Sequence, residues 1–238
     1  MLLAEGASVL FVARDAARLE EAVAEAPGER VASLTADVTD ADAAERIVAA
    51  CEAAFGRVDV LVNNAGTMPV APLSELTDQD WQHQWELNVM ASLHLMHATA
   101  PGMAERGWGR IVNVSSSSGK RPTLRNAAYA VTKAAQLSLS RVFADEYAGK
   151  GVLVNAVAPG PTATKLWVSE DGIAAQSAKR SGTSREQELE AAGAKLPIGR
   201  LGEPAEIAAV IVFLCSEQAS NVVGASWSVD GGAVPFAF

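Results

Sequence analysis

The sequence is short of cysteine, of positive charge and of long apolar runs, and each shortage excludes something. Its two cysteines, Cys51 and Cys215, both fall in apolar patterns of helical period. They read as small core residues rather than a disulfide framework, so a reducing compartment, the cytoplasm, is expected. The opening residues lack the charged, apolar and small-residue order of a secretory signal. Only 19 Lys and Arg stand against 28 Asp and Glu, for a net charge of −9. So acidic a chain repels a phosphate backbone, and no nucleic-acid partner is expected. No apolar run approaches the roughly 20 residues of a membrane span, and the longest, Ile207 to Cys215, fits a buried helix. Neither a membrane partner nor a bound metal is expected.

What is present is apolar content, 49% of 238 residues, enough to bury one large core. Apolar runs of strand length alternate with longer helical patterns. Strands are predicted at 7–12, 30–38, 58–62, 110–116, 152–160 and 224–232. Helices are predicted after an Asp15 cap, from a cap near Thr39 to a stop at Gly56, over two stretches from Thr77 to about Arg106, over 126–151 and over 203–217. Residues 161–202 form a long polar segment. Strand–helix alternation with nearly continuous apolar strands predicts a doubly wound α/β fold, a parallel sheet covered on both faces. Without internal repeat or linker, residues 1–238 read as one domain. Ligands of such a sheet bind beyond the carboxyl ends of its strands. That singles out Arg14, Asp37, Asn63 to Gly66, Ser115 to Ser118 and Pro159 to Thr164.

The chemistry is carried by few residues. Tyr129 and Lys133 in "YAVTK" are four apart on a predicted helix and share a face. A free tyrosine, with a pKa of about 10, is a poor base at neutral pH, and an ammonium beside it favours the phenolate. The pair could then exchange a proton with an alcohol or carbonyl oxygen. Ser116, at the end of a strand 13 residues earlier, could bring a hydroxyl to the same oxygen. Alone, each is equally a surface pair or a solvated turn. "NNAG" follows another strand, where glycine lets the backbone approach a ligand. Asn88 in "ELNV" puts an amide inside an apolar helix, where burial needs a reason.

In this order Asn63-Asn64-Ala65-Gly66, Asn88, Ser116, Tyr129-x-x-x-Lys133 and Pro159-Gly160 closely resemble the classical short-chain dehydrogenase/reductase family. The resemblance spans essentially the whole chain, including "ADV" at 36–38, "GRLGEPAEIA" at 199–208 and "VDGG" at 229–232. It implies a Rossmann-like fold and a hydride exchange between a nicotinamide cofactor and a ketone or secondary alcohol. It implies that Tyr129 is the acid/base, that Lys133 lowers its pKa and bonds the nicotinamide ribose, that Ser116 polarises the carbonyl and that Asn88 holds a water behind Lys133. Asp37 and Val38 would meet the adenine, and Asn63, Ala65 and Gly66 the adenosine side. Pro159, Gly160, Thr162 and Thr164 would surround the nicotinamide, with Thr164 on the carboxamide.

Cofactor choice follows from charge. An acidic residue after the 7–12 strand would accept from a free ribose 2′-hydroxyl. Here Ala13-Arg14 stands there, and Arg14 can clamp a 2′-phosphate, so NADP(H) is expected over NAD(H). The segment at about 161–202 is expected to form a helical lid over a partly apolar small-molecule substrate, with Trp167 at its base.

The family opens with a strand and a T-G-x-x-x-G-x-G phosphate loop, and "MLLAEG" matches only the end of the helix that follows. The expectation is that roughly 25 residues of the usual pattern are absent, with the first strand and the pyrophosphate glycines among them. That strand would lie between 7–12 and 58–62, leaving both neighbours without a partner. Two other readings keep the fold: an epimerase or dehydratase using the same Tyr and Lys, and a truncated inactive paralogue that pairs with an intact subunit. A homotetramer, or failing that a homodimer, is expected. Its contacts would be the helices at about 78–106 and 127–148 and the tail carrying Trp227, Phe236 and Phe238.

Overall fold

The structure, a computed structural model, describes residues 1–26, 28 and 30–235. Phe236 and Phe238 lie outside the described residues, and so does the contact expected of them. Strands β1 (Val9–Ala13) and β2 (Val31–Thr35) pair in parallel. Strands β3 (Val60–Asn63), β4 (Gly109–Val114), β5 (Val152–Pro159) and β6 (Ser226–Val229) form a parallel sheet in that order. Helices α1 (Ala16–Ala24), α2 (Ala43–Phe55) and α4 (Ala91–Glu105) alternate with them, as do α6 (Ala127–Tyr147) and α10 (Pro204–Cys215).

The two faces of β4 show why its strand pattern is continuous rather than alternating. Ile111 packs with Met96 and Met103 of α4 and Phe143 of α6, together with Val152 and Val154. Val112, pointing the other way, packs with Val157 and with Ile207, Leu214 and Cys215 of α10. Helices cover both faces, so every residue of β4 is buried.

Local chemistry sets the helix ends. Asp15 caps α1 by accepting from the Arg18 amide, and Gly56 ends α2 at φ +86°, a left-handed conformation that suits glycine. Thr77 and Asp80 form a reciprocal capping box at the start of α3 (Asp78–Trp85). The expected cap at Thr39 is not found. Its hydroxyl bonds the Asp37 carboxylate at 2.7 Å instead, and α2 begins only after Asp42. An aspartate two residues away captures the threonine before a helix can.

The sheet comes in two pieces. Residues of a parallel strand point their N–H and C=O alternately to one neighbour and the other. Val9 donates to the Arg30 carbonyl, and Ala13 accepts from Ala36, so Leu10 and Val12 turn theirs away from β2. Asp59 accepts from Arg110, so Val60 and Val62 turn theirs away from β4. The edges of β1 and β3 thus do not close on each other. Both line one cavity of about 2250 Å³, well above the roughly 300–1,000 Å³ of common ligand pockets. Residues 1–6 form a single turn ending at Gly6 (φ +92°), and Leu2 packs beside Val60 and Val62.

Candidate active site

The cavity runs from that cleft to the carboxyl ends of β3, β4 and β5. There α6 presents Tyr129 and Lys133 one turn apart, 9% and 3% exposed. The end of β4 is pinned to this helix. The Ser115 hydroxyl donates to the Lys133 carbonyl at 2.8 Å, and Lys133 Nζ donates to the Val114 carbonyl at 2.7 Å. Ser116 follows at once and caps the short helix α5 (Ser117–Lys120). Gly119 makes that placement possible, since a Cβ there would lie 2.8 Å from the Lys133 carbonyl carbon.

The loop after β3 passes across the same face. A Cβ on Gly66 would lie 3.3 Å from Asn88 Oδ1 and 3.7 Å from Lys133 Nζ. Asn63 donates to Asn113 Oδ1 at 2.7 Å. Asn88 sits in a π-helical turn (Glu86–Met90) between α3 and α4, a local widening often found at working sites. Its amide donates to Gln84 Oε1 at 3.0 Å and to Thr132 Oγ1 at 3.1 Å. The side-chain oxygens of Asn63 and Asn88 are buried without a partner among the described residues.

At the end of β5 and just beyond it, Pro159, Gly160, Thr162 and Thr164 line the cavity. Thr162 is held by its hydroxyl to the Gly160 carbonyl at 2.9 Å and by a strand-like bridge to Gly202. The segment 161–202 folds into α7 (Lys165–Val168), α8 (Ile173–Ser181) and α9 (Arg185–Ala194), and Leu166, Trp167 and Ile173 face the cavity. On the far side, Val38 lines the cavity, while Arg14 and Asp37 stand outside its wall at the ends of β1 and β2. Arg14 meets the Asp37 carboxylate at 3.8 Å, both side chains being partly exposed. Bonds from the Thr39 amide and hydroxyl, with Arg14 adding to them, hold the Asp37 carboxyl below the usual range.

The electrostatics differ from the expectation at one point. Burial pushes the Lys133 amine down to about 7. Burial also pushes the Tyr129 phenol up, and the Ser116 hydroxyl pulls it only partway back. Lys133 does not lower it here, because its nitrogen is 5.7 Å from the tyrosine ring centroid and is committed to carbonyl oxygens. Tyr129 therefore rests as a neutral phenol, the form that donates a proton.

Four buried polar residues behind the pair escaped the sequence reading: Gln84, Ser92, Thr132 and Gln136. Their signal was spacing, with Gln84 and Ser92 each four residues from Asn88 and Gln136 three after Lys133.

The residues fit a nicotinamide at one end, where Gly66 and Lys133 line the cavity and the orphaned Asn88 oxygen lies buried just behind Gly66. A family profile described as Enoyl-(Acyl carrier protein) reductase matches residues 1–234. The chain is 35% identical to D-beta-hydroxybutyrate dehydrogenase of Cupriavidus necator over 98% of its length and 90% of that protein's. It is 38% identical to galactitol 2-dehydrogenase (L-tagatose-forming) of Cereibacter sphaeroides, over 96% of its own length and 86% of that protein's. The crystal structure of L-sorbose reductase from Gluconobacter frateurii, complexed with NADPH and L-sorbose, superposes with a TM-score of 0.89 at 36% identity, covering 98% of this chain and 89% of that one. With the tyrosine and lysine one turn apart over a parallel-sheet cleft, and with relatives matched over nearly their full length, the chain belongs to the short-chain dehydrogenase/reductase family and is a nicotinamide-dependent oxidoreductase.

Proposed function

We propose that the protein reduces a ketone to a secondary alcohol, or runs the reverse oxidation, with NADP(H) as the preferred cofactor. The observation that carries this is the buried Tyr129–Lys133 pair on α6, opening with Ser116 on one cavity. The cofactor supplies or accepts the hydride. In reduction, Ser116 donates a hydrogen bond to the substrate carbonyl oxygen and polarises it. Tyr129 donates its phenolic proton to the same oxygen as negative charge gathers there. Lys133 would bond the nicotinamide ribose and, through that ribose hydroxyl, pass a proton to the phenolate that remains. Asn88, its oxygen free at the back of the site, holds the water that returns a proton to Lys133.

Pro159, Gly160, Thr162 and Thr164 would surround the nicotinamide, with Thr164 on its carboxamide. Asn63, Ala65 and Gly66 would line the adenosine side, and Asp37 and Val38 the adenine. Arg14, held only loosely by Asp37, would turn to a 2′-phosphate, which favours NADPH. Helices α7 to α9 would close over the substrate and shed water through Leu166, Trp167 and Ile173. The test is to mix the protein with NADPH or NADH and a panel of carbonyl compounds, including L-sorbose and acetoacetate, and follow loss of reduced nicotinamide. Turnover with NADPH that disappears in Tyr129→Phe is the expected result. Turnover that survives in Tyr129→Phe would overturn the assignment.

A further inference from the structure

Gln136 is a polar side chain, 1% exposed, in a core that hydrocarbon could fill. Its side-chain oxygen accepts from Lys133 Nζ at 3.1 Å. Its amide nitrogen donates to Ser92 Oγ at 2.9 Å, and Ser92 in turn donates to the Asn88 carbonyl at 3.3 Å. The Ser92 hydroxyl spends its one proton on Asn88, so only the nitrogen of Gln136 can face it, and the oxygen is left for Lys133.

We propose that Gln136 is the positioning residue of Lys133: its oxygen, aimed by Ser92, keeps Lys133 an ammonium in the dry core and directs one remaining N–H into the cavity beside Gly66. An ammonium has three protons. Two go to the Val114 carbonyl and to Gln136, and the third is left on the side where Gly66 approaches. With an apolar residue at 136, the buried cation would keep one protein acceptor and give up its proton at lower pH. The groups that face Lys133 are Tyr129 on its own helix, Val114 on β4 with Ser116 just beyond it, Gly66 after β3, and Asn88 and Ser92 before and within α4. Of these only Tyr129 titrates, and among the described residues no carboxylate or second cation acts on Lys133.

This rests on the role given to Lys133 above, so the test separates the two. The Lys133 side chain is titrated by NMR in the protein without cofactor, its resonance assigned by loss in Lys133→Met. Charge-assisted hydrogen bonds set the expected scale. Gln136→Leu should lower the midpoint by about one pH unit, Gln136→Glu should raise it by at least as much, and Ser92→Ala should lower it by less. With any carbonyl substrate that turns over, the alkaline limb for reduction should move in the same order. Midpoints of Leu and Glu variants that coincide with wild type, or move together, would overturn the proposal, since loss of packing alone cannot drive them apart. If Gln136→Leu does not fold, an unmoved midpoint in Gln136→Glu and Ser92→Ala overturns it equally. An unmoved limb, with Tyr129→Phe still dead, removes the positioning role and leaves the assignment of Tyr129 standing.

Discussion

Asn63 and Asn113 stand opposite each other in the β3–β4 ladder and are joined side chain to side chain at 2.7 Å. Asn113 donates onward to Ser140 Oγ at 2.8 Å, and Ser140 to the Gln136 carbonyl at 2.7 Å. The loop carrying Ala65 and Gly66 is thus tied through the core to the helix that carries Tyr129 and Lys133. Asn113→Ala would strand the Asn63 amide and take the donor from Ser140. Stranded buried polar groups cost about 1–3 kcal/mol each. A loss of about 2–3 kcal/mol is expected, or about 4–12 °C in Tm by calorimetry.

Tyr129→Phe removes one hydroxyl and little packing. Turnover should fall by roughly 100- to 10,000-fold with the melting curve nearly unchanged. Steady-state kinetics beside a thermal melt of the same preparation check both halves.

Stability should rise with pH from about 7 to 9. Lys133 is buried and its amine is lowered to about 7, so the unfolded chain, with an ordinary lysine, holds more protons across that window. Stability climbs wherever the unfolded state binds more protons, by about 2–3 kcal/mol over two pH units. Above pH 9 the gain is opposed, because burial pushes the Cys215 thiol up to about 12 and the folded state then keeps a proton the unfolded chain loses. Urea melts at pH 7 and 9 measure the slope, which Lys133→Met should flatten.

Arg14→Asp should move preference from NADPH toward NADH. It exchanges a guanidinium for an acceptor of ribose hydroxyls and sets a second carboxylate beside Asp37. The ratio of kcat/KM values for the two cofactors should change by roughly tenfold to a hundredfold, the scale of a charge-assisted contact.

Val131 and Val142 of α6 are 47% and 63% exposed, and three helical turns place them on one face. That face suits the expected contact between subunits. Sedimentation at micromolar concentration should give a dimer or tetramer, and Val131→Glu with Val142→Glu should give a monomer.

How much of this was legible in the sequence depends on how local the cause is. The strands, the Asp15 cap and the Gly56 stop follow from neighbours within a few residues, and the structure has them where the pattern put them. The Tyr129–Lys133 pair needed only helical spacing. Thr39 was misread because Asp37 competes for it at the same range as a helix would. The rise of the Tyr129 phenol was invisible because desolvation depends on what the fold packs around the ring, and the Lys133 side chain goes not only to Gln136 one turn on but to the Val114 carbonyl, which only the tertiary structure brings near. Gln136 and Ser92, separated by 44 residues, carry no joint signal in sequence.

The edges of β1 and β3 meet no ladder partner in each other, and this gives the molecule a seam across which backbone cooperativity does not pass. On one side, β1, β2, α1 and α2 form a lobe tied to the rest by side-chain packing, of α2 on α4 and of Leu2 beside Val60 and Val62, and by an outlying ion pair, Lys165 with Glu21 at 3.8 Å. Arg14, Asp37 and Val38 ride on that lobe, while Tyr129 and Lys133 ride on the other. A dinucleotide that reached both ends, as proposed above, would therefore be a splint as well as a reagent. Its binding should slow amide exchange in β1 and β2, whose sheet has only two strands, before it slows in β4 and β5.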